Sequence, residues 1–441
     1  MDRIRGAARR LGDRELARDT LWGFGFEGVT LLGTMISFSL LGRSLGQGGY
    51  GQYAALYAII APLGPLAASG VTLAQAQHVI RNGEDLEATS RSCITMTLVI
   101  GSALTVIGAL VASQIVHGLG MAAVITVLLL EFVSYPSVLV AANTVQVRDG
   151  YAASTPIRAI PIVCRIAAIF VLFATGSLSI LSLGLTYLTI TAVLSFVLFR
   201  RVGERYHIRL RPGRVYRRHF KSSATYSAGI SGLSLQNDGD KATLTKYGYV
   251  NDNGLYSAAY KIVQFGLIPV GSFIAVTHQR FLHHEEGRRR QHLGRSIRFG
   301  GICAAYGLVF AIGVIIAAPL LPLLVGDDFR DSIPMVRLLA PLVLCRSLAM
   351  FPLNGLMGLG KTFARTLLLL GGAALSMALY IILIPHLQWK GAAYGTLIGE
   401  SALAITAWVM LIIYQRRSDA AAVHVAPADP VVPVGAALAA E

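Results

Sequence analysis

The sequence predicts an all-α integral membrane protein of about twelve transmembrane helices in two six-helix lobes. Three observations lead there. Hydrophobic residues make up 54% of the 441-residue chain and charged residues only 14%, against about 25% charge in a soluble domain; mean hydropathy is +0.61. Long apolar runs recur through the chain, each near the ~20 residues needed to cross a bilayer. The basic residues cluster in alternate connections between those runs. This composition excludes a soluble enzyme, a disordered chain and a small secreted disulfide scaffold. It also leaves no connection long enough to hold a folded catalytic domain.

The first run, 21–41, follows a basic tail, 1–20, without a small-residue cleavage site, so a retained helix is expected rather than a signal peptide. Runs at 52–77, 93–113, 119–142, 157–175 and 178–199 complete a first lobe, 21–199. A basic linker, 200–222, precedes runs at 223–245, 255–279, 297–318, 333–353, 367–385 and 391–414, which make a second lobe, 223–414. The tail 415–441, with its APADPVVPVG stretch, reads as disordered. Cys93, Cys164, Cys303 and Cys345 are dispersed among apolar residues and read as small core side chains.

With the N-terminus inside, 29 of the 38 Lys and Arg residues fall in cytoplasmic segments, five in external loops and four within spans. That asymmetry is the positive-inside pattern. It accounts for the net charge of +15 without nucleic acid, and places the basic runs against anionic lipid headgroups. The densest run, 199–223, reads as a solvated inter-lobe linker at the inner face of the membrane.

The halves repeat locally. Gly51-Gln52-Tyr53-Ala54-Ala55-Leu56-Tyr57 matches Gly254-Leu255-Tyr256-Ser257-Ala258-Ala259-Tyr260 at an offset of 203. In that register Arg43 falls on Lys246, and Pro65 lies within one residue of Pro269. An offset of six helices preserves orientation, which predicts lobes related by a pseudo-two-fold along the membrane normal, with a substrate site between them.

Ionisable groups at membrane depth are costly and are functional candidates by default. The first helix carries Gly23, Glu27, Thr30, Thr34 and Ser37 on one face; the seventh carries Ser227, Ser231, Ser234, Asp238, Lys241 and Thr245, flanked by Asn237 and Asp240. These helices are repeat equivalents, so their polar faces are expected to line one central cavity. A packing stripe with Asp238 and Lys241 cancelling as an i, i+3 pair is the structural alternative. Lys261, Arg165 and Arg346 add cations suited to a pyrophosphate or acidic sugar; Glu131 and Glu400 add acids.

Two motifs mislead. Gly355-Leu356-Met357-Gly358-Leu359-Gly360-Lys361-Thr362 fits the phosphate-loop pattern, but an apolar membrane helix precedes it where a strand is required. A tight inner turn is expected. His283, His284, Glu285, Glu286 and His292 crowd a charged loop without fixed geometry and read as solvated. No nucleophile–base set is discernible. No catalytic residue, metal, cofactor or nucleotide partner is expected.

Three segments carry a family resemblance: LLGRSLGQGGYGQYAALYAI after the first helix, NDGDKATLTKYGYVNDNGLYSAAYKIVQ across the seventh and eighth, and VGDDFRDSIPMVRLLAPLVLCRSLAMFPLNGLMGLGKTFARTLLLL continuing to IPHLQWKGAAYGTLIGES. They resemble the oligosaccharide-lipid flippase branch of the multidrug/oligosaccharidyl-lipid/polysaccharide exporter superfamily, over most of the chain. The resemblance implies a V-shaped cavity between the lobes and alternating access. It implies translocation of an undecaprenyl-pyrophosphate-linked oligosaccharide from the cytoplasmic to the periplasmic leaflet of the bacterial inner membrane, for O-antigen, capsule or exopolysaccharide assembly, with both termini cytoplasmic. Expected partners are the lipid-linked oligosaccharide, membrane lipids, a polysaccharide polymerase and glycosyltransferases. Lys241, Lys261, Arg165, Arg346 and Asn237 are expected at the anionic head; Glu27, Asp238 and Asp240 at ion coupling or gating. The first helix has no Lys or Arg in its core, leaving Arg165 as the N-lobe cation. The rival of the same superfamily is a cation-coupled multidrug or metabolite exporter, favoured by acids, aromatics and neutralised cations in the cavity. A membrane scaffold and a polysaccharide polymerase or ligase are rivals of other classes.

Overall fold

A computed structural model describes the backbone of residues 2–282 and 291–424, and side chains from 25 to 417 apart from Glu27, 275–276, 278–292 and Thr362. Among these residues the chain is helical with no strand. Eight helices are long and apolar enough to cross a membrane, and two bent pairs bring the number to ten. The stretch 28–81 counts as one of the eight, yet it breaks at Gly46, where φ 62° and ψ −177° leave the helical region. Such a positive φ is cheap only for glycine. The helix Arg217–Lys246 is not among the ten, because polar residues dilute its hydropathy, but its 30 residues are long enough to cross at about 1.5 Å each.

We number the resulting helices α1 (2–45), α2 (47–81), α3 (Leu86–Ile115), α4 (121–149), α5 (Tyr151–Ala174), α6 (Ile180–Tyr206), α7 (Arg217–Lys246), α8 (250–282), α9 (Gln291–Ala317, with a short continuation to Val325), α10 (327–358), α11 (Thr362–Leu387) and α12 (Trp389–His424). Every expected run lies on its own helix. Helices at the basic connections are longer than their apolar cores: α2 runs on to Arg81 and α6 to Tyr206, so only 207–216 links the lobes, rather than 200–222. The last helix reaches His424, into the stretch expected to be disordered. Of the charged run expected as a solvated loop, His283, His284, Glu285 and Glu286 lie outside the described residues, as do the side chains of His292 and Glu27.

The phosphate-loop look-alike is the turn between α10 and α11. Gly360 has φ 74°, and the amides of Gly360 and Lys361 donate to the carbonyls of Met357 and Leu356 at 3.0 and 2.8 Å. Those amides close the end of α10 and do not point at a ligand.

The alternate ends of the helices define two ends of the molecule. The basic connections form one, here the basic end; Gly46, Gly326 and the α7–α8 turn lie at the other, the far end. The lobes meet tightly at the far end. A Cβ on Gly51 would overlap the carbonyl oxygen of Val250, and a Cβ on Gly254 would overlap that of Gln47. The repeat offset carries Gln47 onto Val250 and Gly51 onto Gly254, so these are one contact exchanged between halves. That reciprocity is what a two-fold axis produces. Around it, Phe38, Leu41 and Tyr50 of the first lobe share one buried apolar cluster with Leu244, Tyr256, Val325 and Phe329 of the second. Tyr50 meets Phe38 and Phe329 edge-on, with centroids 5.8 and 6.0 Å apart. Arg43 donates to the carbonyls of Leu323 and Leu324 at 2.5 and 3.3 Å.

Candidate functional site

A cavity of about 370 Å³ lies between the lobes at mid-depth, lined by seven helices. Its α1 wall is Thr30, Gly33, Thr34, Ser37, Phe38 and Leu41, so the threonine–serine face of the first helix does face the cavity. Next to it, α4 contributes Glu131 and α5 contributes Arg165. The far-end roof is the glycine and aromatic contact just described. Toward the basic end α2 and α7 also meet, and a Cβ on Gly70 would overlap the Ser227 hydroxyl.

Three of the expected cations line the cavity, in three different states. Arg165 donates to the hydroxyls of Tyr53 and Tyr57 at 2.6 and 3.1 Å, and lies 4.0 Å from Glu131. Tyr57 in turn donates to Glu131 at 2.6 Å. Lys241 is saturated: Nζ donates to the Asn237 carbonyl at 2.7 Å, Asp238 at 2.9 Å and Asp240 at 3.3 Å. It also sits 3.8 Å from the centre of the Tyr260 ring, a cation–π distance. Lys261 lines the same cavity, and among the described residues no hydrogen bond or ion pair engages its ammonium.

Arg346 and Asn237 do not line the cavity. Arg346 is buried beside it, bonded to Glu400 at 2.8 Å, Tyr260 at 2.7 Å and the Asn237 side chain at 2.5 Å. Its fork and its burial suit a strut between α7, α8, α10 and α12. Asp240 also lies behind the wall, accepting from Tyr256 at 2.7 Å and Thr396 at 3.3 Å, whereas Asp238 faces the cavity. The α7 stripe is therefore split by depth. Asp238 and Lys241 line the cavity; Ser227, nearer the basic end, donates to the Pro65 carbonyl of α2 at 3.0 Å; and Thr245 is buried at the far end, 2.9 Å from Asn253.

The tyrosines are the lining that charge and spacing did not flag: Tyr50, Tyr53, Tyr57, Tyr135, Tyr187 and Tyr260. A signal was present in the repeat, because Tyr57 and Tyr260 are equivalent. Each accepts from the guanidinium of its own lobe, Arg165 in one and Arg346 in the other. A second device was invisible in the sequence. At 130–134 the Tyr135 amide donates to the Leu130 carbonyl, one residue wider than an α-turn. Such π-bulges mark functional positions, and this one carries Glu131.

No protein-family model matches the chain, and no curated protein does. Solved structures do. A structure described as the inward-facing conformation of a multidrug resistance MATE family transporter of the MOP superfamily matches at TM-score 0.68 and 15% identity, over 89% of this chain and 96% of that one. The chain has the two-lobed MATE fold. An outward-facing MATE structure matches at TM-score 0.62 and 15% identity, over 93% and 96% of the two chains. A MOP superfamily transporter from Pyrococcus furiosus, described as having a binding pocket of reverse polarity, matches at TM-score 0.60 and 14% identity, over 91% and 94%. The Arg165–Lys241–Lys261 chamber lies between the two lobes of that fold.

Proposed function

We propose that the protein is a flippase that carries an undecaprenyl-pyrophosphate-linked oligosaccharide across the bacterial inner membrane by alternating access, for surface polysaccharide assembly. Lys261 carries this reading. The described lining holds three cations and two acids. Arg165 stands near Glu131 and Lys241 is held by Asp238 and Asp240, which leaves Lys261 as the lining cation that no hydrogen bond or ion pair engages among the described residues. Lys261 is half-buried, and its ammonium is available to pair with a diphosphate entering the cavity. The tyrosine hydroxyls and the α1 threonines offer the hydrogen bonds a sugar needs. Lys241, Asn237 and Arg346 support the wall, and Asp238, Asp240 and Glu27 serve ion coupling or gating. The basic end faces the cytoplasm, from which the polar head enters when the lobes separate there, while the polyprenyl tail stays in lipid.

The test is a deletion strain analysed for lipid-linked sugars. Accumulation of the finished repeat unit on the cytoplasmic leaflet, relieved by the wild-type gene and not by the Lys261→Ala variant, supports the proposal. A second reading has its own observation: six tyrosines with Glu131 and Asp238 also suit an organic cation. Unchanged lipid-linked sugars, together with increased sensitivity to cationic compounds, would favour a cation-coupled multidrug exporter instead.

A further inference from the structure

At the basic end, away from the cavity, His78 at the end of α2, Glu84 in the α2–α3 connection and His219 in the first turn of α7 converge. His78 Nδ1 lies 2.8 Å from one oxygen of Glu84, and His219 Nε2 lies 2.9 Å from the other. The ligand atoms all fall within 4.8 Å of one another. Both imidazoles are buried, at 5% and 1% side-chain exposure, and Glu84 opens to solvent at 17%. Each ring is held from behind by a serine: His78 Nε2 lies 3.1 Å from Ser222, and His219 Nδ1 lies 3.0 Å from Ser92. The contacts run both ways between lobes, since Ser222 and His219 belong to α7 while His78, Glu84 and Ser92 belong to the first lobe.

We propose that His78, Glu84 and His219 bind a divalent transition-metal ion, zinc being the best fit, that fastens α2 of one lobe to α7 of the other at the basic end.

Two imidazoles and a carboxylate form a donor set that zinc takes readily, with ligands at about 2.0–2.2 Å. Tetrahedral ligands then stand roughly 3.3 Å apart, which compares with the present contacts of 2.8 and 2.9 Å to the two Glu84 oxygens and with three ligand atoms that all lie within 4.8 Å of one another. A fourth ligand is available from water or from the side-chain oxygen of Asn82, whose amide lies 3.2 Å from His78 Nδ1. Metal-bound histidines usually have their second nitrogen fixed by a hydrogen-bond partner, and both do here. The proton balance closes without a base. In the metal-free state each ring carries its proton toward Glu84 and accepts from its serine. On binding, each neutral ring shifts to the other tautomer and donates to the serine, whose hydroxyl serves either role. Arg218, which donates to Glu84 at 3.0 Å and is 60% exposed, is free to swing into solvent as the ion enters.

The experiment uses untagged full-length protein in detergent, with His283, His284 and His292 changed to Ala so that the histidine-rich loop does not report. Zn²⁺ uptake is measured by equilibrium dialysis, and Co²⁺ serves as the optical probe. One ion per chain and a tetrahedral Co²⁺ band are expected. His78→Ala plus His219→Ala should abolish both, and Ser222→Ala or Ser92→Ala should weaken binding roughly 10- to 100-fold while leaving the fold intact. Zn²⁺ should slow amide exchange in 77–85 and in 217–223 together. No uptake in the loop variant, uptake undiminished in the double variant, or slowing in one lobe alone would overturn the proposal.

Discussion

Lys241 and Arg346 are buried and Lys261 is half-buried, and the three cations differ in what they already hold. Lys261 makes no hydrogen bond or ion pair among the described residues, so Lys261→Ala should not lower the thermal midpoint in detergent. A charge-assisted hydrogen bond to cargo contributes about 1.5–3 kcal/mol, so affinity for a diphosphate lipid should fall roughly 10- to 150-fold. A ligand-independent loss of stability would move Lys261 from the cargo site to the scaffold. Lys241 should behave in the opposite way. Its removal leaves Asp238 and the fully buried Asp240 facing each other, so Lys241→Ala should destabilise the fold, and adding Asp238→Ala should recover part of the loss. Arg346→Ala strands Glu400, which is 5% exposed; breaking such a buried pair costs about 3–5 kcal/mol. Thermal unfolding of the four variants separates ligand from strut. Sequence spacing could not make this distinction. Positions 237, 238, 240 and 241 all belong to one polar turn, and which member faces water depends on neighbours from α8, α10 and α12 that are far away in the chain.

At the scale of elements, the far-end seal rests on a pair of glycines. Gly51 and Gly254 let α2 and α8 approach until each backbone sits against a carbonyl of the other half. Gly254→Leu should therefore hold the far end open without unfolding either lobe. The measurement is reaction of Thr34→Cys, in the cavity wall, with an impermeant maleimide added from the far side. Labelling should rise several-fold over the same cysteine in the Gly254 protein; unchanged labelling would show that the seal lies elsewhere. This part of the architecture was legible in the sequence, because the helix-opening match at offset 203 placed the two glycines in equivalent positions and the reciprocal contact follows from equivalence. The number and order of helices were legible for the same kind of reason: one span is a local property of about 20 residues. The π-bulge at 130–134 was not, since one extra residue in a turn leaves the apolar pattern almost unchanged. The histidine cluster was not legible either, because His219 and Glu84 stand 135 residues apart and share no period. The α7 stripe was legible as a face but not by depth, so its cavity, inter-lobe and far-end segments were read together.

At the scale of the whole molecule, the charge map assigns a side of the membrane to each end, and the fold makes that assignment testable without disturbing it. Arg211 lies in the connection between α6 and α7 at the basic end, and Asp328 lies at the start of α10 at the far end; both are exposed. Silence of a cysteine at either position toward an impermeant reagent then reports the membrane and not burial. Of the native thiols, Cys93 and Cys303 are buried and Cys164 and Cys345 partly so, and replacing all four with Ser removes the background at little cost in volume. In intact cells, Asp328→Cys should label and Arg211→Cys should label only after the membrane is permeabilised. The expectation follows from the cost of moving charge: 207–216 and its flanks carry one of the densest basic runs in the chain, and short basic connections are retained on the cytoplasmic side. Labelling of position 211 from outside would invert the molecule. The far-end seal would then face the cytoplasm, and the direction of transport proposed above would have to be reversed with it.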